Sequence, residues 1–105
     1  MQILICPNKF KAIEGLMTDL KNQLSIVYPR IIYVKHAIYI KPDIEILFIP
    51  AWADDHITGM HPDYYWTESN DVDTYFKDRR IKELKSFPEI VHVVLEECMS
   101  KIKEG

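Results

Sequence analysis

Residues Ile44 to Ile49, IEILFI, form an almost unbroken apolar run closed by Pro50, and this run limits the fold more than any other stretch. Six residues are too few for a buried helix, and an all-apolar strand needs cover on both faces. Proline has no N–H to continue the ladder, so the run ends at Pro50. The segment is the best candidate for a central strand. A second short run, Gln2 to Cys6 with its apolar core ILIC, is closed the same way by Pro7. Between the two, Ile13, Leu16, Met17, Leu20, Leu24 and Val27 recur at intervals of three and four. Glu14, Asp19, Lys21 and Asn22 fall on the opposite side, which describes an amphipathic helix capped by Asn8 and ended by Pro29.

Ile31 to Lys41 is rich in β-branched and aromatic residues and reads as one extended strand, broken by Pro42 and Asp43. Toward the C-terminus, Asn70 and Asp73 resemble a capping pair that opens a helix from Asp71 to Lys85, held down by Val72, Tyr75, Phe76 and Leu84. Ser86 and Glu89, with Pro88 in the first turn, start another. Its stripe is Ile90, Val91, Val94, Leu95, Cys98 and Ile102. The 105 residues are therefore expected to form one α/β domain spanning 1–105, a sheet of about three strands in the order β-α-β-β-α-α.

The connection between the last two strands decides where function sits. If Ile31–Lys41 and Ile44–Ile49 form a hairpin, the following segment leaves the sheet at the end opposite Asn8. If instead Ile31 to Lys35 is the strand and His36 to Asp43 a degenerate crossover, it emerges beside Asn8 and Lys9, at the carboxyl edge where open α/β sheets bind ligands. The hairpin is the preferred reading.

That following segment, Ala51 to Asn70, is the expected site. It holds both tryptophans, Tyr64, Tyr65, three aspartates and two histidines, and is too aromatic for a solvated linker. Trp52, Tyr64, Tyr65 and Trp66, with Asp54 and Asp55 among them, suit a surface that grips a protein partner, since rings supply contact area at small entropy cost. The bland alternative folds some of these rings back onto the core. His56, His61 and Asp63, with Asp54 and Asp55, offer donors for a divalent metal such as zinc or manganese, although their spacing matches no standard site. The same groups could serve as general acid and base in a minimal enzyme or ligand-binding domain. No cofactor is otherwise implied.

Three glycines exclude a P-loop and a dinucleotide fingerprint. A formal charge of −3 gives no general attraction to nucleic acid or anionic membranes, and no apolar run reaches the roughly 18 residues of a membrane span. The opening lacks a signal-peptide pattern, so a cytoplasmic protein is expected, with Cys6 and Cys98 as buried free thiols. The stretch from Ile3 to Ala12, ILICPNKFKA, resembles the opening of glycerate kinases, where a strand runs into a Pro-x-x-Phe-Lys turn. The resemblance covers only that turn, without the Gly-Ser that usually follows, and implies no activity. The leading expectation is a small interaction or inhibitor-type protein, the kind of role that viral accessory proteins fill, with self-association into a homodimer that pairs the Ile31–Lys41 edges or buries Tyr64 to Tyr75 against each other.

Overall fold

The computed structural model describes residues 1–25, 31–40 and 43–104. Its elements are β1 (Gln2–Cys6), α1 (Ala12–Ser25), β2 (Ile31–Val34), β3 (Ala37–Ile40), β4 (Ile44–Phe48), α2 (Asp54–Ile57), β5 (Tyr64–Thr67), α3 (Asn70–Asp78), β6 (Lys82–Glu83) and α4 (Phe87–Glu104). The α/β class is as expected, but the sheet has six strands rather than about three, in the order β2-β3-β4-β1-β5-β6.

Three local events make up the difference. First, the stretch expected as one strand over Ile31–Lys41, of which Lys41 lies outside the described residues, holds two: the chain reverses at Lys35 and His36, and Val34 pairs with Ala37. His36 takes a positive φ of 62°, which lets a two-residue connection close. Second, Tyr64–Thr67, expected to be loop, is a strand parallel to β1. Third, the helix expected over Asp71–Lys85 stops at Asp78, and Lys82–Glu83 adds a short strand parallel to β5.

The central run behaves as its composition demands. In β1, Ile3 and Ile5 face one side and Leu4 and Cys6 the other, and all four are fully buried. On the first side lie Ile13, Leu20 and Leu24 of α1 and Ile90, Val94 and Cys98 of α4, packed with Ile38, Ile44, Ile46, Phe48 and Leu84. On the second, Ile57 of α2 and Val72 and Phe76 of α3 pack on Leu4, Cys6 and Tyr65. The result is a three-layer arrangement. The second layer is incomplete, because Ile32, Val34 and Tyr39 of the β2–β3 hairpin lie on that side and remain exposed.

Capping differs in detail from the expected pattern. The N-cap of α3 is Ser69, whose Oγ accepts from the Val72 N–H at 3.5 Å, one residue before the expected Asn70. Asn8 does not cap α1, and instead binds Glu68 across the sheet edge. Ser86 opens α4 as expected, its Oγ accepting from the Glu89 N–H at 3.4 Å, while Glu89 reaches back to the Lys85 N–H.

Helix α3 ends without a glycine. The Ile81 N–H donates to the Phe76 carbonyl and the Arg80 N–H to the Lys77 carbonyl, and Arg80 carries a φ of 62°. This is the left-handed helix stop that glycine normally occupies, and a side chain there costs about 1 kcal/mol. Arg80→Gly should therefore raise the unfolding free energy by roughly 0.5–1 kcal/mol, measurable by urea titration, after allowance for the greater freedom of glycine in the unfolded chain.

Candidate functional site

Strand direction decides where the loops meet. β3 is antiparallel to β4, as a hairpin requires, yet β4 is parallel to β1. The extra reversal at His36 reconciles the two: two hairpins in succession restore the direction of β1. The segment from Ala51 onward therefore emerges beside Asn8, with the Ala51 N–H donating to the Pro7 carbonyl at 2.8 Å. The preferred hairpin was correct for β3 and β4, but the placement drawn from it was not.

The connection after β1 leads through α1, on the first face, toward β2, while that after β5 leads through α3, on the second face, toward β6. Neighbouring parallel strands whose connections diverge to opposite faces form a switch point, the usual crevice for ligands in open α/β sheets. Here the crevice between β1 and β5 is bridged by its own loops. The Asn8 N–H donates to Glu68 Oε1 at 3.2 Å, and Thr67 Oγ1 donates to the Cys6 carbonyl at 2.9 Å. His36 and Phe10 close the same edge further along, their rings edge to face at 4.9 Å. Cys6, at the end of β1, offers no nucleophile, because burial pushes its thiol up to about 12.

Segment 51–70 divides among several surroundings. Trp52 stands at the carboxyl edge, 66% exposed. Asp54 begins α2, on which Asp55 and His56 are exposed. The chain then descends along α3, where the Tyr75 hydroxyl donates to the Thr58 carbonyl and Arg79 Nη1 to the Met60 carbonyl. It reaches the opposite edge at Asp63, whose Oδ2 accepts from the Gln2 N–H at 2.8 Å. His61 is exposed on the way.

The expected metal donors are consequently not brought together. His56 lies at one end of the sheet and Asp63 at the other. Among the described residues no group of three His, Cys, Asp or Glu side chains could hold a metal ion.

The aromatic cluster is split by strand alternation. Tyr64 and Trp66 turn to the first face, where the Trp66 ring meets Phe87 at 5.6 Å and Tyr64 lines an open groove of about 570 Å³ with Leu84, Pro88 and His92. Tyr65 turns to the second face and is wholly buried against Phe76, with ring centroids 5.1 Å apart. Of the residues expected to bind, Trp52 and Asp55 are left at the carboxyl edge with described, exposed side chains.

A cluster that sequence reasoning missed surrounds the Tyr65 hydroxyl. It donates to Asp73 Oδ1 at 2.5 Å and lies 3.4 Å from Glu83 Oε2. Lys77 Nζ bridges the same carboxyl groups, 3.0 Å from Asp73 Oδ2 and 3.6 Å from Glu83 Oε2. Hydrogen bonding from the Glu83 carboxyl, then from Tyr65 and Lys77, holds Asp73 down to about 2. The hydrogen bond to Asp73, then burial and the Asp73 charge, push Glu83 up. The two carboxyl groups between α3 and β6 therefore titrate as a pair, Asp73 losing its proton first. The only local signal in the sequence was the i,i+4 spacing of Asp73 and Lys77.

Opposite shifts give opposite pH dependences. The Asp73 contribution is complete above its ordinary value of 3.8 and fades as pH falls toward about 2. The Glu83 contribution is complete below its ordinary value of 4.5 and fades as pH rises through the higher folded value. The junction between α3 and β6 should hold best near pH 4 and lose the Glu83 contribution as pH rises above that. Amide exchange at Glu83 and Leu84 reads this out directly, and Glu83→Gln, which keeps the donor but cannot titrate, should flatten the high-pH limb.

Compared with protein-family models, curated proteins and solved structures, the chain finds no match. Among the described residues no helix is long and apolar enough to cross a membrane.

Proposed function

We propose that the chain is a protein-interaction module that grips a macromolecular partner through segment 51–70, with Trp52 as its anchor. The observation that carries this reading is the contrast within the segment: Tyr65 is wholly buried, whereas the indole of Trp52 stands 66% exposed on a loop beside the switch point. Tryptophan is the side chain most enriched among residues that dominate binding energy. The exposed Asp55, Glu68 and Asp71 at the same edge would repel a phosphate backbone, so the partner is a protein rather than a nucleic acid. Trp52→Ala should leave the melting temperature unchanged and abolish retention of the partner in affinity capture with the full chain. Equal retention by the variant would remove Trp52 from the interface.

Self-association belongs to the same reading. The exposed Ile32, Val34 and Tyr39 on the β2–β3 hairpin support a homodimer that pairs or covers this edge. Light scattering across a dilution series tests it, and a mass of one chain throughout would exclude the dimer.

A second reading, a ligand-binding domain or minimal enzyme, is favoured by one observation: the segment carrying Asp54, Asp55 and His56 emerges at the switch-point edge. His61 lies further down the segment. Elemental analysis of protein purified without chelator would test a bound metal directly.

A further inference from the structure

Between α2 and α3 lies a cleft of about 260 Å³ lined by Ile57, Thr58, Asp71, Val72 and Tyr75. Its floor is preformed, because Ile57 and Val72 already belong to the core and are nearly inaccessible. One end is closed where the Tyr75 hydroxyl binds the Thr58 carbonyl. At that end Arg79 stacks 4.0 Å over the Tyr75 ring and binds the Met60 carbonyl, so a positive charge sits there. At the other end Asp71 is exposed on the first turn of α3. Asp55 on α2 and Glu68 just before α3 are exposed on the same side of the molecule, and Trp52 stands near them at the carboxyl edge. The cleft is smaller than the roughly 300–1,000 Å³ of pockets that enclose a small molecule, yet ample for one side chain.

Resting on the interaction surface carried by residues 51–70, we propose that this cleft is the anchor pocket for a basic segment of a partner protein. An apolar side chain of that segment enters between Ile57, Val72 and Tyr75, and a neighbouring lysine or arginine meets Asp71. Charge complementarity selects the occupant. An acidic segment would face Asp55, Glu68 and Asp71 together, whereas a basic one is drawn to the open end and kept by Arg79 from sliding to the closed one. The apolar floor adds what charge alone lacks, a site-specific contribution insensitive to salt.

The test uses the full chain, isotope-labelled, titrated with three short synthetic peptides: leucine flanked by lysines, alanine flanked by lysines, and leucine flanked by glutamates. The lysine–leucine peptide should shift the amides of Ile57, Thr58 and Asp71 to Tyr75, and the alanine version should bind about tenfold more weakly. The glutamate version should not bind. Asp71→Asn, with an unchanged melting temperature, should weaken the lysine–leucine peptide by about fivefold to tenfold. Equal binding of the leucine and alanine peptides, binding of the glutamate peptide, an unaffected Asp71→Asn, or shifts confined to another surface would each overturn the assignment. If no peptide binds while Trp52→Ala still loses a full-size partner, the cleft is wrong and the interaction surface stands. If the lysine–leucine peptide fills the cleft while Trp52→Ala changes nothing, the converse holds.

Discussion

Replacing Tyr65 with alanine should cost about 3–5 kcal/mol of stability, the range for deleting a buried aromatic ring. The ring is wholly buried between β1, β5 and α3, so the change leaves a cavity that Phe76 and Val72 cannot fill without moving α3. For a domain of this size each kcal/mol shifts the melting temperature by roughly 4–8 °C, so a fall of more than about 10 °C is expected by calorimetry. Tyr65→Phe separates the two roles of the side chain. It keeps the ring and removes the hydroxyl that donates to Asp73 at 2.5 Å, leaving the carboxyl pair one donor short. A loss of about 1–2 kcal/mol follows, well below that of alanine. Overlapping melts for wild type and Tyr65→Ala would show that the ring contributes nothing to the core.

Tyr65 also shows where the sequence stops being legible. The runs that became β1 and β4, and the stripes that became α1 and α4, could be read directly because each element buries a long, regular set of apolar side chains. Tyr64–Thr67 could not, since a four-residue strand offers only two repeats of its period and this one is embedded among turn-forming Asp, His and Pro. Read as a loop, its rings look like a surface. Read as a strand parallel to β1, they must go to opposite faces. The end of α3 was hidden for a different reason: Arg80 occupies the left-handed position where a glycine would have announced the stop. The charged run Lys77 to Lys85 therefore looked like one continuous helix face. The carboxyl pair of Asp73 and Glu83 depends on that hidden stop, because only the reversal after Asp78 returns Glu83 to Tyr65, its partner in the sheet. The exposure of Trp52 and Asp55 was legible because polar and aromatic residues on a connecting loop need no register to be foreseen at the surface.

His36→Pro should be as damaging as Tyr65→Ala, although His36 is half-buried and lies outside both core clusters. Proline fixes φ near −65°, while His36 sits at 62°. The two-residue reversal between Val34 and Ala37 cannot close around it, so the β2–β3 pairing would be lost at a cost of at least about 3 kcal/mol. More than stability is at stake, because this reversal gives β4 the direction of β1 and brings Ala51 beside Pro7. A chain unable to turn at His36 would have to form the single long strand that its composition suggests. Its segment 51–70 would then leave from the wrong end of the sheet. His36→Gly is the control: glycine adopts the positive φ freely, a gain of about 1 kcal/mol, but forfeits the edge-to-face contact with Phe10, a loss of roughly 0.5–1.5 kcal/mol. The glycine variant should melt within a few degrees of wild type, while the proline variant melts more than about 10 °C lower and loses amide protection across Ile38 and Ile46, partners in the β3–β4 ladder. If the proline variant keeps that protection, the turn at His36 does not set the direction of β4.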